Sequence, residues 1–327
     1  MKKKSVLQTV LSALIIPSAT FVVCELISFF IKGKHLIATP FDLYSLMTGF
    51  ALTTISAYAL SINMSTGRMD FSLGGQQLVG CIIGGNLAIS LNLGAFGVVF
   101  LSVLFAMLAG LLTGILFVTL RIDAFVLGLG MALILEGVSV AYDINGLEIF
   151  DSTITGPLSN RNFILLVSII VIILINLLMN YTKFGYHYKA IRGSQKLAAN
   201  AGINVVANCL ICYAVCGALT GLVGALNAGI NGKFAAQVGL KSISGIFLGF
   251  LPILLANYLS VFVPMEIGIP IGALTCRLIQ ILFGKMNVSL NNSTIYLMLV
   301  VFGIVSILNI IHGYSVKKQY RDRALEE

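Results

Sequence analysis

Four ionisable side chains fall inside otherwise apolar stretches of this 327-residue chain: Glu25, Asp70, Glu136 and Arg277. Charge in an apolar environment is costly, so such residues pair, hold backbone groups, or help to move a solute or proton. Asp70 stands at an expected helix start, in Gly67-Arg68-Met69-Asp70-Phe71-Ser72-Leu73-Gly74-Gly75-Gln76. One reading makes it a cap for free N–H groups, favoured by the positive helix end, with Arg68 as its partner. The other places Asp70, Ser72 and Gln76 at the core of a translocation pathway. Glu136 lies mid-helix, and Arg277 is the cation available to pair with it; both join the list of pathway and core candidates. A proton relay needs a longer chain of such groups than the sequence offers.

Other chemistries lack their residues. Gly229-Ile230-Asn231-Gly232-Lys233 does not have the spacing of a phosphate-binding loop, and no His-Glu-x-x-His occurs. His35, His187 and His312 are scattered, and no nucleophile–His–acid set follows from spacing. Cys209, Cys212 and Cys216 share one helical face, but no His or further Cys completes a metal site, so the six cysteines read as small buried hydrophobes. The sequence thus predicts no catalytic residue, metal or cofactor of its own. If ATP drives the protein, another chain must bind and hydrolyse it. A net charge of +8 without basic runs interleaved with aromatics excludes a nucleic-acid groove.

The elements that must hold these residues are membrane helices. Hydrophobic residues make up 58% of the chain and charged ones 10%, against about 25% charged in soluble domains. Apolar stretches at about 9–31, 43–63, 71–91, 94–120, 124–142, 162–180, 207–229, 242–262, 264–284 and 294–312 each approach the ~20 residues that span a bilayer. The expected fold is all-α: a polytopic bundle of about ten transmembrane helices, forming a single domain over 1–327. The block at 67–76 is alternatively a re-entrant segment. Gly217 and Gly221 form a small-xxx-small pair, with Gly224 near the same face, suited to close helix packing.

Charge gives the expected orientation. Met1-Lys2-Lys3-Lys4 precedes the first stretch, which is too long for a signal core and has no small-x-small cleavage site, so it reads as a retained helix beginning in the cytoplasm. Ten crossings return the tail at 313–327 to the same side. Thirteen Lys/Arg then lie inside, among them Arg68, Arg121, Lys183, Lys189, Arg192 and Lys196. Six lie outside: Lys32, Lys34, Arg161, Lys233, Lys241 and Lys285. That bias is the positive-inside pattern. The longest inner loop, about 181–206, has helical composition and offers a docking surface.

Three blocks resemble the permease subunits of ribose-type ABC importers, in the branched-chain amino acid/sugar permease superfamily. The first, Gly67 to Gly74, is similar to the family's Gly-Gly-x-Asp-Leu-Ser-Val-Gly. Ala124 to Met131 with Gly137 is similar to its Ser-Phe-Ile-Val-Thr-Leu-Gly helix start. Phe184 to Ser194, continuing through Ala198-Ala199 to Gly202-Ile203-Asn204-Val205, resembles its cytoplasmic coupling segment. The sequence departs from the pattern at Ser194 (usually Asn), Gly128 (usually Thr) and 240–252, which lacks the family's two glycine pairs.

The resemblance implies a permease subunit of the bacterial plasma membrane that carries a small hydrophilic solute, a monosaccharide first. Its implied partners are a cytoplasmic ATPase, an extracytoplasmic solute-binding protein, and a second permease in a homodimer or heterodimer. Gly185, Ala190, Gly193, Ser194, Ala198, Ala199 and Gly202 are then the ATPase-coupling residues. The alternatives are a permease for a nucleoside or an autoinducer-2-like molecule, and an ion-coupled secondary transporter, which would work without an ATPase.

Overall fold

Apolar stretches about twenty residues long form helices because every buried backbone N–H and C=O must find a partner within its own segment. In a computed structural model describing residues 6–260, 263–288 and 295–306, helices α1 (Val6–Lys32), α2 (Pro40–Met64), α5 (Gly94–Leu120), α6 (Ala124–Tyr142), α8 (Arg161–Tyr181), α11 (Val205–Asn231), α12 (Lys241–Leu259) and α13 (Met265–Lys285) are long and apolar enough to cross a membrane. The expected stretch at 71–91 is a continuous helical run in three pieces: α3 (Leu73–Val79), a π-helical turn (Gly80–Gly84) and α4 (Gly85–Ser90). A shorter apolar helix, Ile295–Ser306, covers the described part of the last stretch. The all-α polytopic reading therefore holds. Lys2 to Lys4 and the tail at 313–327 lie outside the described residues.

Side-chain caps set several starts. Asp123, Asp151, Asn160, Thr182, Ser194 and Asn204 each accept a backbone N–H in the first turn of the helix that follows. The connection between α6 and α8 holds a short helix, α7 (Ser152–Ser159), and strand β1 (Leu147–Glu148), which pairs antiparallel with β2 (Lys233–Phe234). The expected inner loop folds as two helices, α9 (Lys183–Gly193) and α10 (Gln195–Asn200).

The described chain divides into two compact units, one of residues up to Leu46 with those from Leu251, the other Met47–Phe250. In the first, α1 packs on α13, and Gly272 lets α13 approach α12, since a Cβ there would lie 2.6 Å from the Pro252 carbonyl oxygen. Among its described residues, two charged pairs are local. Lys285 Nζ donates to Asp42 Oδ2 at 2.8 Å. Glu25 bonds the His35 ring at 2.6 Å and accepts the Leu36 N–H at 2.8 Å.

The second unit is built on an antiparallel α5–α11 pair. A Cβ at Gly217 would lie 2.3 Å from the Ala106 carbonyl oxygen, and one at Gly221 2.5 Å from that of Ser102. Gly224 faces Cys81, and Gly110 of α5 meets the Tyr213 carbonyl. Small residues here bring backbones together where no hydrophobic effect distinguishes helix from lipid. The outer helix α8 shows the solvent it is built for. It buries Ile164, Ser168, Val171, Ile175 and Met179 along one face and leaves Leu166, Ile169, Ile173, Leu174 and Leu177 exposed on others. An apolar face that continuous belongs against lipid.

Candidate functional site

The turn joining α2 to α3 is a buried polar core. Gly67, with φ of +79°, lets the chain reverse, and the N–H groups of Thr66 and Arg68 both return to the Asn63 carbonyl at 3.1 Å. This swings Asp70, 2% exposed, beneath the start of α3. Its Oδ1 accepts the Ser72 backbone N–H at 2.9 Å and the Ser72 hydroxyl at 2.6 Å. Its Oδ2 accepts from Gln76 Nε2 at 3.3 Å and Asn63 Nδ2 at 3.5 Å. Gln76 Nε2 also donates to Ser72 Oγ at 2.7 Å. Four donors replace the water that a buried carboxylate loses.

Arg68 does not serve as the Asp70 partner that the sequence offered. Its guanidinium, on a residue 4% exposed, turns to the thiols of Cys209 and Cys212 on α11. Asn63 Oδ1, Arg68 Nη1 and Gln76 Oε1 have no hydrogen-bond partner among the described residues. The core is thus more polar than its own contacts satisfy.

Glu136 and Arg277, expected to pair, are each satisfied elsewhere. Glu136, 1% exposed, accepts the backbone N–H of Leu240 at Oε2 and that of Ser242 at Oε1, both at 2.9 Å. These are the first free donors of α12, so the α6 carboxylate caps a neighbouring helix where its dipole favours negative charge. Arg277 donates through Nε and Nη2 to the carbonyl and hydroxyl of Ser45 at 3.0 and 2.8 Å, and through Nη1 to Gln280 Oε1 at 2.8 Å. The pairing failed because backbone groups compete for a buried charge as well as an opposite charge does.

The α12 cap fixes where that helix begins. Glu136 lies twelve residues into α6, about 18 Å along its axis, so α12 starts partway along α6 and not beyond its end. Its first residue of contact, Ser242, abuts α3: a Cβ on Gly74 would lie 2.3 Å from the Ser242 carbonyl oxygen. Gly128 of α6 meets the Phe71 N–H on another side. Asp70 and Ser72 at the start of α3 thus lie beside α6, Glu136 joins α6 to the start of α12, and Gln76 turns from α3 toward Gly110 of α5.

At the end of this unit that carries the α2–α3 turn, α9 and α10 form a hairpin. Ala190, Gly193, Ala199 and Gly202 are exposed, Ser194 is half-buried as the α10 cap, and Gly185 and Ala198 are buried. A Cβ on Gly185 would lie 2.3 Å from the Met179 carbonyl oxygen, so this glycine permits the sharp step from α8 to α9. Leu197, 70% exposed, stands among the small residues and was not singled out from sequence. An isolated exposed leucine has no periodicity to announce it.

A family model described as branched-chain amino acid transport system / permease component matches residues 43–308. The chain belongs to this family. It is also 31% identical over 142 residues to the galactose/methyl galactoside import permease protein MglC of Salmonella typhimurium. That match covers 40% of this chain and 42% of the relative, so it spans under half the length of each. No solved structure matches. The permease family and eight long apolar helices among the described residues make the chain a multi-pass inner-membrane protein.

Proposed function

We propose that this chain is the membrane permease subunit of an ABC importer for a small hydrophilic solute, a monosaccharide first, with the whole chain acting as one permease domain. The family match across 43–308 carries the reading, and the similarity to a galactose/methyl galactoside permease supports the substrate class. Both termini and the α9–α10 hairpin face the cytoplasm, following the distribution of Lys and Arg. A separate ATPase binds ATP and docks on the hairpin through Ala190, Gly193, Ser194, Ala199 and Leu197, small residues around one apolar knob. A solute-binding protein delivers substrate from the other side, and a second permease completes the pathway.

Solute passes the polar groups of Asp70, Ser72, Gln76 and Glu136. The polar atoms there that lack protein partners are suited to solute hydroxyls or water once alternation opens the core. The test is reconstitution in liposomes with candidate ATPase and binding-protein chains, measuring uptake of radiolabelled galactose and of a nucleoside. ATP-dependent uptake of the sugar alone is expected. Uptake by the permease without any ATPase would overturn the ABC reading, and selective nucleoside uptake would overturn the sugar assignment. Co-purification with a different permease chain decides the heterodimer against the homodimer.

A further inference from the structure

The α9–α10 hairpin is fastened directly to the turn that carries Arg68 and Asp70. Helix α2 ends at Met64, which leaves its last carbonyls without intrahelical donors. Tyr188 of α9 takes one of them: its hydroxyl donates to the Ile62 carbonyl oxygen at 3.0 Å, across 126 residues of sequence. The Ser65 side chain hydrogen-bonds the same phenol. Tyr188 is 5% exposed and its ring stacks on Phe184, with centroids 6.2 Å apart. A second link follows one turn on, where Gln195 Nε2 of α10 donates to the Thr66 carbonyl oxygen at 3.3 Å.

The anchored segment is itself stiff. Thr66 and Arg68 both bond back to the Asn63 carbonyl, and the Asn63 side chain reaches Asp70. On the far side, Asn208 at the start of α11 donates to the Phe184 carbonyl, and Cys209 and Cys212 receive the Arg68 guanidinium. Hairpin, α2 end and turn are therefore joined by hydrogen bonds at two points, and the α11 start is tied to α9 through Asn208. A displacement of α9 or α10 therefore acts on the carbonyls of Ile62 and Thr66, just before residues 67–72.

We propose that Tyr188, assisted by Gln195, is the positioning residue through which movement of the α9–α10 hairpin reaches the Arg68–Ser72 turn and so the pathway core. This rests on the reading of the hairpin as the ATPase dock, and two readouts separate the claims. Tyr188→Phe keeps the ring and its packing and removes only the hydroxyl; Gln195→Ala removes the second link from an exposed position; Tyr186→Phe, on an exposed ring of the same helix, is the control.

In the purified chain alone, Tyr188→Phe raises amide hydrogen exchange across residues 65–72 by roughly five- to tenfold, the worth of one buried neutral hydrogen bond. Tyr186→Phe leaves it unchanged. In the reconstituted complex, Tyr188→Phe keeps assembly and basal ATP hydrolysis while solute moved per ATP falls by a similar factor, and Tyr188→Phe with Gln195→Ala falls further. Unchanged exchange at 65–72 overturns the link whatever the chain transports. Raised exchange with full transport per ATP overturns its role in coupling. A wild-type complex that shows no ATP-driven uptake overturns the importer reading, and with it the mechanical role.

Discussion

Glu136→Ala and Glu136→Gln test whether a single carboxylate sets the position of α12. Both carboxylate oxygens are used, each on one backbone N–H at 2.9 Å, in a residue only 1% exposed. The glutamine keeps the shape but turns an NH2 toward one of those donors, costing about 1–3 kcal/mol. The alanine orphans two buried N–H groups, opens a cavity, and removes the charge that favours the helix N-terminus, costing about 3–5 kcal/mol in all. At about 2–4 °C per kcal/mol for a unit near 200 residues, the alanine lowers the unfolding midpoint by roughly 10 °C and the glutamine by roughly half that. Glu148→Gln is the internal control, because the Glu148–Lys233 pair is partly exposed and worth under about 1 kcal/mol. The assay is thermal unfolding of the purified protein in detergent, followed by circular dichroism, with hydrogen exchange at 240–244 as the local readout. A Glu136→Ala midpoint equal to that of Glu148→Gln, with unchanged exchange at 240–244, refutes the capping argument.

Three further outcomes are expected. Gly221→Ala places a methyl group 2.5 Å from the Ser102 carbonyl oxygen and so forces α5 and α11 apart; overpacking costs about 1–3 kcal/mol, whereas Gly130→Ala, with nothing within 4 Å, leaves the unfolding midpoint unchanged or raised. Gly193→Trp and Ala199→Trp change exposed positions on the hairpin, so they leave the permease folded but abolish co-purification of the ATPase and ATP-driven uptake. Asp151 accepts the Thr153 backbone N–H at 2.8 Å, and that bond holds its carboxyl below the usual aspartate range. With the folded value below the unfolded one, its contribution is fully present above the ordinary aspartate value and is lost as pH falls through the folded value. Protection of the first amides of α7, taken relative to their intrinsic exchange rate at each pH, therefore falls in acid in the wild type, and is low and independent of pH in Asp151→Ala.

Much of the fold is legible because local chemistry alone decides it. A run of twenty apolar residues has few stable alternatives to a helix in lipid, and caps such as Asp123, Asn160 and Asn204 act over two or three residues. The stretches at 94–120 and 124–142 coincide with α5 and α6 to the residue. The candidate site is less legible. Asp70, Ser72 and Gln76 stand within seven residues, and their cluster follows from the helical turn that joins them. The partners of Glu136 and Arg277 do not, because they include a backbone N–H over a hundred residues away and a carbonyl over two hundred away. Every residue offers the same backbone groups, so no residue type marks the one that is used. Tyr188 was passed over for the same reason: its acceptor is a carbonyl.

The sequence by itself determined the solvent, the placement of the long apolar helices, and the segment that folds as α9 and α10, since hydrophobic length, charge and capping residues act within a single element. Tertiary structure alone decided that α12 begins partway along α6, that Arg68 faces two thiols and not Asp70, and that Tyr188 ties the hairpin to the end of α2. Each of these depends on which helix end lies beside which side chain. That choice belongs to the packing of glycine faces such as Gly217 and Gly221 on α5, and it is made only when the helices meet.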